Sequence, residues 1–200
     1  MSETSAVARR LAWALVVVVG VAVILLAWGR REQIEAGVTV FVDAVPIECP
    51  GSVVESGSIN DDARILHLVT IEPEMTCNLR FFVANNTGHD IAVQSILLPV
   101  TGPAGGPAIV ATRLNPTTTS NAGPAPGEVD AIWDRNDTLM PGEIGDYQIT
   151  IEFRPGGCSA DGGIMTLGTP TVRIRAWFMH VDIGNEFMPV GFLGSPASSC

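Results

Sequence analysis

From Leu11 to Trp28 the chain reads LAWALVVVVGVAVILLAW, eighteen positions without a charge or a strong polar group. A surface helix of a globular domain would interrupt such a run with a polar face; this one has no polar side. Eighteen residues at 1.5 Å rise span roughly 27 Å, close to the ~30 Å hydrocarbon core of a bilayer. Trp13 and Trp28 stand near its two ends, and the pairs Arg9-Arg10 and Arg30-Arg31 lie just outside. Indole rings favour the headgroup level, and long cationic side chains reach water from there. The pattern predicts a membrane-spanning helix over 11–28, preceded by residues 1–10 and followed by a juxtamembrane linker, 29–37. Ala27-Trp28-Gly29 is the nearest approach to a leader cleavage site, but Arg30 follows at once, so an uncleaved anchor is expected.

After residue 37 the apolar period changes to two. Residues 38–47 are β-branched and apolar and predict a strand ended by Pro46 or by Cys49-Pro50-Gly51. Residues 64–72 predict another. In the stretch 78–100, Leu79, Phe81 and Val83 alternate with Arg80, Phe82 and Ala84. The turn signal Asn85-Asn86-Thr87-Gly88 follows, then a run with Ile91, Val93, Ser95 and Leu97 on one face. Two alternating runs joined by Asn and Gly predict a hairpin. A short run at 108–111 precedes a Pro/Thr/Gly-rich loop over 115–127. Tyr147, Ile149, Ile151 and Phe153 then alternate with Gln148, Thr150, Glu152 and Arg154, as an antiparallel strand with one buried face would. Residues 171–181 and 186–193 predict a last hairpin turning at 182–185. With no sustained helical period after residue 37, 38–200 is expected to be one mainly β, antiparallel two-sheet sandwich.

The run from Leu79 through Asn85-Asn86-Thr87-Gly88 to Val93 resembles the strand–Asn-Thr-Gly–strand hairpin of bacterial immunoglobulin-like and fibronectin-like extracytoplasmic modules. Leu139-Met140-Pro141-Gly142-Glu143, ahead of the Tyr147–Phe153 strand, is similar to the Pro-Gly turn before a late strand of those modules. The two segments cover about a fifth of the domain, and what they imply is fold: an immunoglobulin-like β-sandwich. Gly145-Asp146-Tyr147 is also similar to a tyrosine corner, but Ile149 stands where an antibody domain carries its second cysteine. As a whole the chain resembles single-pass membrane proteins of high-GC Gram-positive bacteria.

Cys49, Cys77, Cys158 and Cys200 all follow the apolar run, none in a CxxC pair, each beside turn residues or at the chain's last position. That pattern points away from zinc and thioredoxin chemistry and toward two disulfides in an oxidising compartment. Three pairings are open to four cysteines; Cys49–Cys77 with Cys158–Cys200 is preferred because the second would tie down residues 195–199. An N-terminus in the cytoplasm and a domain outside the plasma membrane follow. Charge agrees with a role away from nucleic acid. Residues 32–200 carry seven arginines, no lysine and 20 acids, a formal charge of −13, which repels phosphate backbones and anionic headgroups.

Candidate chemistry is sparse. There is no GxSxG, and His67, His89 and His180 lie in strand-like runs or a turn with no base–orienter partner in sight. Cys158, His180 and Met188 are spread too widely for a blue-copper loop. Asp130, Asp134 and Asp137, in an acidic and loop-like segment, offer oxygen ligands for calcium, without EF-hand spacing. The leading expectation is therefore a membrane-anchored, non-enzymatic interaction or accessory module that docks on another membrane or envelope protein. A ligand- or calcium-binding domain is the alternative, and a hydrolase without a linear motif comes third.

Overall fold

In the computed structural model the described residues are 3–42, 47–58, 65–116, 124–184 and 189–200; for 3–12, 14, 57, 58, 65 and 66 the description is of backbone alone. Pro46, Met188, Asn185 and most of the Pro/Thr/Gly-rich loop therefore lie outside the described residues, as do the side chains of Arg9, Arg10 and Leu11.

The helix α1 (Glu3–Gly37) is continuous over 35 residues. Every large apolar side chain described from Trp13 to Trp28 is exposed. Among the described residues no helix is long and apolar enough to cross a membrane; the apolar stretch with described side chains, 15–28, measures about 21 Å along the axis. Residues 29–37, expected as a linker, are the last turns of the same helix. Arg31 and Glu35 pair at 2.7 Å one turn apart on its exposed side, while Ile34 on the other side is 3% exposed and belongs to the domain core. Burying an isoleucine stabilises by roughly 1.5–3 kcal/mol, so α1 is fastened to the domain. It ends at Gly37, where a side chain would strike Thr87 Cγ2 at 2.7 Å.

Among the described residues twelve strands follow: β1 (Val38–Val42), β2 (Val54–Ser58), β3 (Ile65–Thr70), β4 (Thr76–Asn85), β5 (Ile91–Leu98), β6 (Ile109–Asn115), β7 (Ala131–Leu139), β8 (Ile144–Phe153), β9 (Ile164–Thr166), β10 (Thr171–Ala176), β11 (Met179–Ile183) and β12 (Val190–Leu193). They form three four-stranded sheets, ordered β1-β4-β8-β6, β11-β10-β5-β7 and β2-β3-β12-β9. Pairing is antiparallel except between β3 and β12. Leu79, Phe81 and Val83 of β4 and Tyr147, Ile149 and Ile151 of β8 point inward, as their alternation predicts. They meet Ile91, Val93, Trp133, Val172 and Ile174 of the second sheet in one core. Val69, Ile71 and Phe192 extend that core beneath the third sheet. The result is the expected β-sandwich of antiparallel sheets with one helix, plus a small third sheet.

Several expectations are corrected. The runs around Asn85-Asn86-Thr87-Gly88 do not form a hairpin: β4 pairs with β1 and β8, whereas β5 pairs with β10 and β7. The turn carries the chain from one sheet across to the other. Alternation marks a buried face but does not say which neighbour the strand will take. In β5, a bulge between Val93 and Ser95 changes parity, so Ile96 and Leu98 are buried rather than Ser95 and Leu97. The run 171–181 is two strands, β10 and β11, joined at Trp177-Phe178. Trp177 takes a left-handed φ of 55°, a job usually done by Gly or Asn, so no turn signal marks the site. β12 pairs not with that run but with β3 and β9.

Asn85 fixes one end of the sandwich. Wholly buried, it donates from Nδ2 to the carbonyls of His89 and Leu139 at 2.8 and 2.9 Å. Its Oδ1 accepts from Thr87 N at 3.0 Å and Thr87 Oγ1 at 2.6 Å. Its own backbone pairs with Glu143 and Gly142 of the next turn. The disulfides are Cys49–Cys77 and Cys158–Cys200, 28 and 42 residues apart, the preferred pairing.

Asn85→Ala strands buried polar groups in two turns and is expected to cost about 2–4 kcal/mol, read as a shift of the denaturant midpoint with an unchanged slope. Each bridge, by the entropy of the loop it closes, contributes roughly 3–4 kcal/mol. Cys158→Ala/Cys200→Ala should therefore lower the melting temperature while the Cys49–Cys77 pair stays protected from thiol reagents under native conditions. An unshifted melt would show that the terminal bridge constrains nothing.

Candidate functional site

The alternation that sends Leu79, Phe81 and Tyr147 inward sends Asn78, Arg80, Phe82, Asp146 and Gln148 to the outer face of the first sheet. Register sets Arg80 opposite Gln148, Phe82 opposite Asp146, and Asn115 of β6 on the other side of Gln148. Arg80 donates from Nε to Asp146 Oδ1 at 2.9 Å, and its Nη2 reaches Oδ2. That bond holds the Asp146 carboxyl below the usual carboxylate range. Both groups are about half exposed, and solvent leaves such a pair worth at most about 1 kcal/mol. The Arg80 guanidinium also lies 5.0 Å from the centre of the Phe82 ring, which stacks on Phe41 at 5.1 Å.

A groove of about 620 Å³ opens over these residues. Asn78, Asn115 and Gln148 are the carboxamide residues of its lining and Arg80 and Asp146 its ion pair, with Ile47, Glu48, Pro116 and Val190 also lining it. Three amides, a fork-shaped cation and a carboxylate make a dense set of directional donors and acceptors. No cysteine, serine or histidine is among the described residues that line the groove.

Directly beneath lies a buried polar cluster that the sequence did not announce. Arg135 of β7 points into the core, donating to Asp137 Oδ2 at 2.8 Å and to the Pro116 carbonyl at 2.6 Å. Tyr147 donates its hydroxyl to the same Asp137 oxygen at 3.1 Å. Tyr147 thus bonds a carboxylate on another strand, not the upstream backbone of a tyrosine corner. Burial, and then the neighbouring Asp137 charge, push its phenol far above the ordinary 10.0. A second buried cation, Arg154, donates to the carbonyls of Gly102 and Ile109 at 2.7 Å each, and to that of Gly105. It pins the loop before β6.

The three calcium candidates are not brought together. The segment expected as a loop is mostly strand β7, which separates Asp130 from Asp134 by about 13 Å of extended chain. Asp130 caps the backbone N–H of Val100 at 2.8 Å, and Asp137 is engaged by Arg135 and Tyr147. Among the described residues no group of three or more His, Cys, Asp or Glu could hold a metal ion. The histidines are dispersed too. His67 is buried in β3, His89 packs on Trp177 with ring centres 4.5 Å apart, and His180 Nδ1 lies 2.5 Å from Gln94 Oε1. Cys158, bridged to Cys200, is no copper ligand.

No known protein family matches the chain, and no curated protein does. Among solved structures it is similar to two of the GH20 exo β-N-acetylglucosaminidase of Vibrio harveyi, an inactive mutant and a complex with N-acetylglucosamine. Each has 11% identity and a TM-score of 0.33, and covers 76% of this chain but only 19% of that enzyme. So distant a likeness carries no argument about this protein.

Tyr147 is the chain's one tyrosine, so phenolate absorbance reports it alone. Its raised pKa contributes stability that is complete below about pH 10, the unfolded value, and is lost as pH rises toward the folded value. Phenolate should therefore appear only together with cooperative alkaline unfolding. Smooth ionisation near pH 10 in the folded protein would contradict the burial described.

Proposed function

We propose that the chain is a single-pass plasma-membrane protein in which residues 11–28 cross the bilayer, residues 1–10 are cytoplasmic, and the β-domain lies outside. The domain is an immunoglobulin-like, non-enzymatic interaction module that docks on another membrane or envelope protein. The observation that carries this reading is the stretch 15–28 of α1: apolar, with its large side chains exposed all round, and continuous with the turn that Ile34 locks to the sandwich with no loop between. A helix hydrophobic all round needs an apolar surrounding, and the sequence run 11–28 has the length a bilayer asks for. Two disulfides suit an oxidising compartment. A rigid mount holds the domain at one height and orientation, which suits a partner that is itself in the membrane.

The groove on the first sheet is the recognition surface of this reading, because its amides and paired charges can specify a partner's polar groups. The domain's acidic surround favours a basic rim on that partner.

A reporter fused after Cys200 should be active only outside the cytoplasm. Tagged full-length protein, extracted in mild detergent, should bring down a stoichiometric membrane or envelope protein. Gln148→Arg, a surface change within the groove, should lose that protein at an unchanged melting temperature. Cytoplasmic reporter activity would overturn the topology. Turnover of a generic esterase or peptidase substrate that disappears with His67→Ala or His180→Ala would overturn the non-enzymatic role.

A further inference from the structure

The turn between β10 and β11 is two residues long, since Ala176 pairs with Met179, and both are aromatic. Phe178 is 80% exposed and Trp177 44%. Trp177 also holds a left-handed φ of 55°, which is uncommon for any residue with a Cβ and a marked outlier for a bulky one. Backbone strain of this kind, of order 1–3 kcal/mol, persists where the surroundings or the function require it. A glycine would relieve the strain here, but it would remove the ring.

The position of the turn identifies the surrounding. The Arg30 guanidinium lies 4.7 Å from the centre of the Trp177 ring. Arg30 is two residues beyond Trp28, the last residue of the apolar run, or about 3 Å along the helix. Where the run leaves hydrocarbon, Trp177 and Phe178 are level with it. The same end of the sandwich, held together by Asn85, also exposes Met140 from the turn between β7 and β8 and Ile144 at the start of β8. Val129, exposed just before the start of β7, lies at the opposite end of the strands from these turns.

We propose that the Trp177-Phe178 turn is a second membrane contact: its rings enter the headgroup–acyl boundary of the outer leaflet beside the exit of α1. Amphipathic indole and an apolar ring favour that layer. Arg30, sandwiched between the Trp177 ring and the headgroups, faces lipid phosphate. The contact removes one rotational freedom from a domain otherwise held by a single helix, and so decides which way the groove on the first sheet faces. This inference rests on the anchor reading above.

The test uses full-length protein with both disulfides intact, reconstituted in vesicles of phosphatidylcholine and phosphatidylglycerol. A nitroxide is placed at Val19→Cys, Phe178→Cys or Val129→Cys in separate samples. Collisions with oxygen, which concentrates in lipid, are compared with collisions with a water-soluble nickel complex. The Phe178 label should collide several-fold less with nickel than the Val129 label and more with oxygen, at a depth shallower than the Val19 label. A lipid-exposed Val19 label together with a Phe178 label as aqueous as that at Val129 would overturn the second contact and leave the anchor standing. A Phe178 label shielded from both reagents and broadened by a second nitroxide would replace the bilayer with another copy of the chain. A Val19 label in water would remove the anchor, and this inference with it.

Discussion

One buried side chain organises the end of the molecule where helix and sandwich meet. Asn85 is the last residue of β4, and its carboxamide satisfies the carbonyls of two different turns while its oxygen closes the turn it begins. The next residue, Asn86, donates its N–H to the Gly37 carbonyl at 2.7 Å, so the helix terminus is tied to the same knot. A buried amide that makes all its bonds is worth far more in place than its net contribution suggests, since removing it strands several groups at once. The end of the helix, the crossing from first sheet to second and the turn before β8 are therefore set in relation to one another by Asn85 and its neighbour Asn86.

From that end the sheets run away with their two faces doing different work. The inner faces make a continuous apolar core. Into it are sunk Arg135, Asp137 and Tyr147, a polar cluster that has to be complete because an unpaired charge there would be costly. The outer face of the first sheet carries the groove. Arg135 binds the Pro116 carbonyl, and Tyr147 stands between Asp146 and Gln148 in the chain, so groove and buried cluster share a strand and a wall. The shape of the groove is thus supported from below by the most specific polar contacts in the core.

Much of this was legible in sequence where periodicity alone decides. The apolar run, the inward set of β8 and the mainly β domain follow from residue type and spacing, whereas the disulfide pairing was a preference among three that only the fold decides. What escaped depends on contacts between distant segments. Asn85-Asn86-Thr87-Gly88 has the composition of a hairpin turn, yet nothing local tells β5 to join the other sheet. Trp177 breaks the run 171–181 from a conformation its side chain disfavours. Asp130, Asp134 and Asp137 look like a set in the sequence because they are close along the chain; an extended strand pulls them apart. The groove could be read only after register had set Asn78, Arg80, Asn115 and Gln148 side by side, since no motif spans the 70 positions from Asn78 to Gln148.

The parallel pairing of β3 with β12 bears on the order in which the chain assembles. Residues 65–70 leave the ribosome well over a hundred residues before 190–193, and long-range pairing of this kind forms late. Until then β2 and β3 are a two-stranded ribbon with Val69 and Ile71 awaiting cover, and such ribbons are marginal alone. Both strands lie inside the loop that Cys49–Cys77 closes. The early bridge can thus act as a splint, holding the ribbon against β4 through most of biosynthesis and keeping a sticky strand edge out of reach of neighbouring nascent chains.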